Sequence, residues 1–123
     1  MNGEDQNLIV RFKNPTQCHL WSSESPTIKD LDFEPVQTYV DESHFSRSLL
    51  RCKRCGQLYY SEFYEIVDWD DGNDDQYSTY IPIEYDEKII EMLNKRSPLA
   101  LLGVFPQLNW NNNNPIKWVR KKG

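Results

Sequence analysis

The sequence predicts an α+β fold: an antiparallel sheet around a long central hairpin, with one main helix and a cysteine knuckle. Three observations carry this prediction. Two stretches rich in aromatic and β-branched residues flank the turn "DDGNDD", a pattern that folds back on itself as paired strands. A single stretch, "EKIIEMLNKR", places apolar residues at helical spacing. Cys52 and Cys55 form Cys-x-x-Cys-Gly between two strand-like runs.

Taken in chain order, "NLIVRF" (Asn7 to Phe12) reads as a first strand, stopped by Pro15. From Cys18 to Asp41 no period is sustained and Pro26 and Pro35 interrupt the chain, so this region reads as loop with short extended pieces. "SRSLLRC" (46–52) is a strand and "QLYYSEFYEIVDW" (57–69) a longer one. The second has apolar residues on both faces, as a central strand covered on both sides requires. "QYSTYIPIEY" puts Tyr77, Thr79, Ile81, Ile83 and Tyr85 on one face, and Pro82 marks a free edge or an end. Asp86 then suits an N-cap, Glu87 the positive helix start, and Ser97-Pro98 the stop. "LALLGVF" is an apolar run of a helical turn leading to a strand, and "LNW" with "IKWV" forms a last hairpin across "NNNNP".

At 123 residues the chain is expected to make one domain, 1–123, with a single core. No apolar span is long enough for a membrane, and "MNGEDQN" is polar and acidic where a signal peptide is basic and then apolar. A cytoplasmic protein is expected. Its charge is unevenly placed: residues 1–61 carry seven Lys/Arg and eight Asp/Glu, residues 62–91 one and eleven, and residues 92–123 six and none. The middle segment projects a negative potential, and the expected partner is basic.

Three cysteines in a reducing compartment remain thiols or bind metal. In "RCKRCG" the two thiolates of Cys52 and Cys55 converge on one ion while Gly56 takes the positive φ of the turn. Tetrahedral zinc needs four ligands, and Cys18 is the third. His44 is the preferred fourth, because neighbouring residues in an extended chain point to opposite sides and Cys18 would compete with His19. A bend at Cys18 would admit His19 instead. Four protein ligands leave no open position, so such a zinc is a staple and does no chemistry. A redox role fits poorly, since that motif opens a helix.

The aromatic string Tyr59, Tyr60, Phe63 and Tyr64 reads as sheet core. The alternative is a stacking platform for nucleic acid with Arg47, Arg51, Lys53 and Arg54 contacting phosphate; the acidic continuation of the same strand opposes it. Asp68, Asp70, Asp74 and Asp75 do not make a calcium loop, because Thr79 stands where a bidentate Glu is needed. Asp68, Trp69, Asp70, Asp71, Asp74, Asp75 and Tyr77 are the candidate partner-binding set, carboxylates around an aromatic anchor. No nucleophile and base pair or phosphate loop is evident, so an enzyme is not expected.

"RCKRCGQLYY" resembles the half-ribbon of small zinc-ribbon proteins over about ten residues. In overall character, small and acidic without catalytic residues, the chain is similar to bacterial immunity proteins, which bind and neutralise a toxic nuclease. That resemblance implies a basic, nuclease-type partner occluded by the acidic segment Glu62 to Glu91. The alternative function is a zinc-ribbon nucleic-acid-binding or transcription-associated protein.

Overall fold

The structure, a computed structural model, describes residues 13–111 and 114–120. The strand expected at 7–12 lies outside the described residues. Among the described residues six strands form one antiparallel sheet in sequence order: β1 (Phe33–Glu42), β2 (Phe45–Cys52), β3 (Leu58–Ile66), β4 (Asp75–Ile83), β5 (Gln107–Asn111) and β6 (Lys117–Val119). One helix among these residues, α1 (Glu87–Asn94), and short 3-10 turns complete an α+β architecture. The central hairpin is β3–β4, in unbroken register from Leu58↔Ile83 to Ile66↔Asp75. Pairing of β4 with β5 stops at Tyr80, which leaves Pro82 where only β3 needs hydrogen bonds.

Residues 33–42 correct the expectation of loop up to Asp41. They form β1, a full strand at the sheet's edge that pairs with β2 through two register shifts, at Pro35/Gln37 and Thr38/Val40. An edge strand tolerates Pro35 because one side of its backbone faces no neighbour. The bulges break the period of two on which strand recognition depends.

Each face of the sheet is covered. On one, Leu49, Tyr60 and Ile81 lie abreast and pack with Ile83 against Ile90 and Leu93 of α1 and Leu101 and Val104 beyond it. Full burial of each Leu or Ile contributes about 1.5–3 kcal/mol. Helix α1 starts where expected: the Asp86 carboxylate accepts the N–H groups of Lys88 (2.9 Å) and Ile89 (3.3 Å), a cap worth about 1 kcal/mol. On the other face Tyr59, Leu108 and Trp118 are covered by an arm, residues 13–32, that brings Cys18 and Leu20 into the same cluster. Trp118 Nε1–H donates to the Leu20 carbonyl at 2.7 Å, so the arm bridges the β2–β3 end and β6.

Candidate metal centre

The arm and the β2–β3 turn meet at the cysteines. Cys52 ends β2, and the chain reverses through Lys53 to Gly56, closed by Gly56 N–H to Cys52 O and Cys52 N–H to Gln57 O, both 2.8 Å. Gly56 takes φ +82°, a left-handed turn conformation that a Cβ opposes. On the arm, Cys18 is extended (φ −84°, ψ 134°), and a 3-10 turn, His19–Ser22, begins directly after it. The Sγ atoms of Cys18, Cys52 and Cys55 all lie within 4.8 Å of one another. Three thiols at this separation can hold a metal ion. Among the described residues no other group of three or more His, Cys, Asp or Glu side chains converges in this way.

Cys18 and Cys52 are buried and Cys55 reaches the surface. Burial pushes the Cys18 thiol up to about 12, against hydrogen bonds from Tyr59 and the Leu20 backbone that favour the thiolate. The Tyr59 hydroxyl donates to Cys18 Sγ at 3.1 Å, and burial raises its own pKa. A metal ion bound here would replace the thiol protons, and the Tyr59 hydroxyl and Leu20 N–H would stabilise the Cys18 sulfur.

The two histidines have separate fates. Every residue between His44 and Cys52 belongs to β2, eight residues of extended chain, which sets the two ends about 25 Å apart. His44 therefore does not reach the cysteines, and the preference for it is corrected: its Nδ1 pairs with Glu65 Oε1 at 2.8 Å in the β1–β2 turn. His19 is the imidazole at the site. Its Nδ1 is 3.8 Å from Cys52 Sγ and its Nε2 2.7 Å from the Asp30 carbonyl. Cys52 is fully buried, so this Cys/His pair offers no substrate a path to the sulfur.

The acidic tip is a separate feature. Asp68 Oδ1 accepts the N–H groups of Asp70 and Asp71, each at 3.1 Å, and Asp74 Oδ1 accepts that of Asp68 at 2.7 Å. Asp68 and Asp74 thus build the turn, together with Gly72 at φ +70°. Asp70 and Asp71 are exposed, Asp75 opens β4, and Tyr77 is half-buried beside Tyr64. Trp69 is 88% exposed.

The basic residues of the nucleic-acid alternative are mostly engaged. Arg47 is fully buried in an ion pair with Glu62, which removes it from any phosphate surface. Arg51 pairs with Glu34 and Arg54 with Asp32. Tyr59 and Tyr60 are buried in opposite cores and present no face for stacking. Arg47 and Glu62 are also the pair that sequence patterning missed, since buried ions leave no periodic signal.

No helix among the described residues is long and apolar enough to cross a membrane. Compared with protein-family models, curated proteins and solved structures, the chain matches none. The likeness to immunity proteins therefore stands on composition and charge alone.

Proposed function

We propose that this protein is a non-enzymatic binding protein of the immunity or inhibitor type, stapled by zinc at Cys18, Cys52 and Cys55. The acidic β3–β4 tip meets a basic, nuclease-type partner and occupies the space its substrate phosphates would take. The observation that carries the reading is Trp69, 88% exposed on a turn whose backbone is fixed by Asp68 and Asp74. An indole held out on a rigid tip costs little to immobilise on binding, and flanking carboxylates steer a cationic surface toward it. Zinc suits the three thiolates, because soft sulfur ligands in a tetrahedral arrangement select it over hard cations.

The test is association kinetics with a basic nuclease from the same cell, at low and physiological salt. Asp70→Lys/Asp71→Lys should slow association at least tenfold, and Trp69→Ala should speed dissociation. Association unchanged by the charge reversal would sink the proposal.

A further inference from the structure

We infer that His19 Nδ1 is the fourth ligand of the metal held by Cys18, Cys52 and Cys55, closing a Cys3His site that clasps the arm to the β2–β3 turn. The inference rests on the metal reading above and goes beyond it in naming the ligand, its coordinating atom and the absence of an open position.

The first argument is distance. Zn–S of about 2.3 Å and Zn–N of about 2.0–2.1 Å at a tetrahedral angle place sulfur and nitrogen about 3.6 Å apart. The observed Cys52 Sγ to His19 Nδ1 separation is 3.8 Å. Of the three clustered thiols, Cys52 is the one that stands at this distance from the imidazole, so ligation asks the His19 ring to close on the other two sulfurs as the ion is bound.

The second argument is the tautomer. A backbone carbonyl only accepts, so the ring nitrogen facing Asp30 O at 2.7 Å carries the proton. In the neutral ring Nδ1 then holds the lone pair, on the side of the ring that meets Cys52 Sγ. This is the outer-shell arrangement that orients metal-binding imidazoles. Asp30 itself is held in place: its N–H donates to Thr27 O at 2.9 Å, and its carboxylate accepts the Thr27 N–H at 2.8 Å.

The third argument concerns the chain. Consecutive residues of a strand point apart, which weighs against joint ligation by Cys18 and His19. Here Cys18 alone is extended and His19 opens a 3-10 turn, so the backbone bends between them and both side chains face the knuckle. Three thiolates and one neutral imidazole around a divalent ion leave a net charge of −1, and the knuckle itself carries Lys53 and Arg54.

Cobalt(II) added to the reduced, metal-free full chain tests the assignment. The unmodified protein should show the intense visible bands of a tetrahedral thiolate-rich centre. His19→Ala should shift and weaken them and lower metal affinity at least about a hundredfold, beyond the usual effect of losing an outer-shell contact; His44→Ala should leave both unchanged. Should His19→Ala fail to fold, nitrogen-15 NMR of the unmodified zinc-loaded chain reads the same point. His19 should show a metal-bound Nδ1 and a protonated Nε2. Cobalt bands that survive His19→Ala unchanged, or a zinc-loaded His19 with free Nδ1, overturn the inference while the three-cysteine site stands. Absence of any cobalt centre in the unmodified chain overturns both.

Discussion

Arg47 and Glu62 face each other across β2 and β3, with Arg47 Nη2 2.7 Å from Glu62 Oε2 and both side chains 1% exposed. The same guanidinium donates to the carbonyls of Leu93 (3.0 Å) and Asn94 (3.1 Å) at the end of α1 and of Ser97 (3.1 Å) just beyond it. Glu62 Oε1 in turn accepts the Leu99 N–H at 3.2 Å. Burial pushes the Glu62 carboxyl up, and the Arg47 and Leu99 contacts pull it back. One ion pair thus fixes how α1 and the following turn sit on the sheet.

Arg47→Ala should destabilise the protein by about 3–5 kcal/mol, because it leaves a buried carboxylate uncompensated. Arg47→Met/Glu62→Leu should recover part of that loss. It should stay below the unmodified protein, because the Leu93, Asn94 and Ser97 carbonyls and the Leu99 N–H lose their hydrogen bonds to the pair. Urea unfolding of the three proteins checks the order.

Removing metal should lower the thermal midpoint by about 10–20 °C. A clasp between Cys18 and Cys52 closes a loop of about 35 residues, for which chain entropy gives about 4 kcal/mol by analogy with a covalent cross-link. The loss should be felt at β6, where Trp118 stacks edge-on to Trp21 at 4.8 Å and Arg120 lies 3.9 Å over the Trp21 ring. Calorimetry with and without chelator, followed by tryptophan fluorescence, measures both effects.

Acid should weaken the protein partly through Glu65. Hydrogen bonds from Gln76 and then His44 hold its carboxyl below the ordinary range. A carboxylate whose folded pKa is depressed contributes stability that is present above its unfolded pKa, about 4.3, and is lost as pH falls through the folded pKa. Glu65→Gln should flatten the stability profile below about pH 4.3, and His44→Ala should raise the Glu65 pKa. Carbon-13 NMR of the carboxyl group during acid titration reads this directly.

Trp69→Ala should change folding stability by less than about 0.5 kcal/mol, as expected for a side chain that packs on nothing. Partner affinity should fall by at least about 2 kcal/mol if the indole is an interface anchor. Equal unfolding midpoints with unequal dissociation rates would separate binding from folding.

The β3–β4 hairpin, α1 and the β5–β6 hairpin were legible in the sequence because each pairs a period with a punctuating turn or cap: Gly72 among aspartates, Asp86 before Glu87, Pro115 after the asparagines. β1 was not legible. Its exposed middle, Pro35 to Thr38, carries no apolar alternation, and its bulges reset the phase. Of the metal centre, the three cysteines were legible from spacing, but the choice of histidine turned on backbone shape. Neighbouring residues in an extended chain point apart, which favours His44 in the sequence, yet the strand expected over 46–52 already holds it away from Cys52; the bend between Cys18 and His19 lifts the objection to the nearer histidine. Arg47 and Glu62 read as surface charges because strand patterning treats every ion as solvent-facing.

Sheet order follows chain order, so each strand can zip onto the one made just before it, the kind of local topology that assembles quickly. The arm departs from that rule. Leu20 finds its Trp118 partner only 98 residues later, although Tyr59 and Cys52 are in place long before. During synthesis the arm can therefore seat on the first hairpins and then wait, half-docked, for the final strand to lock it. A metal captured at that stage would hold the unfinished face of the sheet closed while the rest of the chain is still being made.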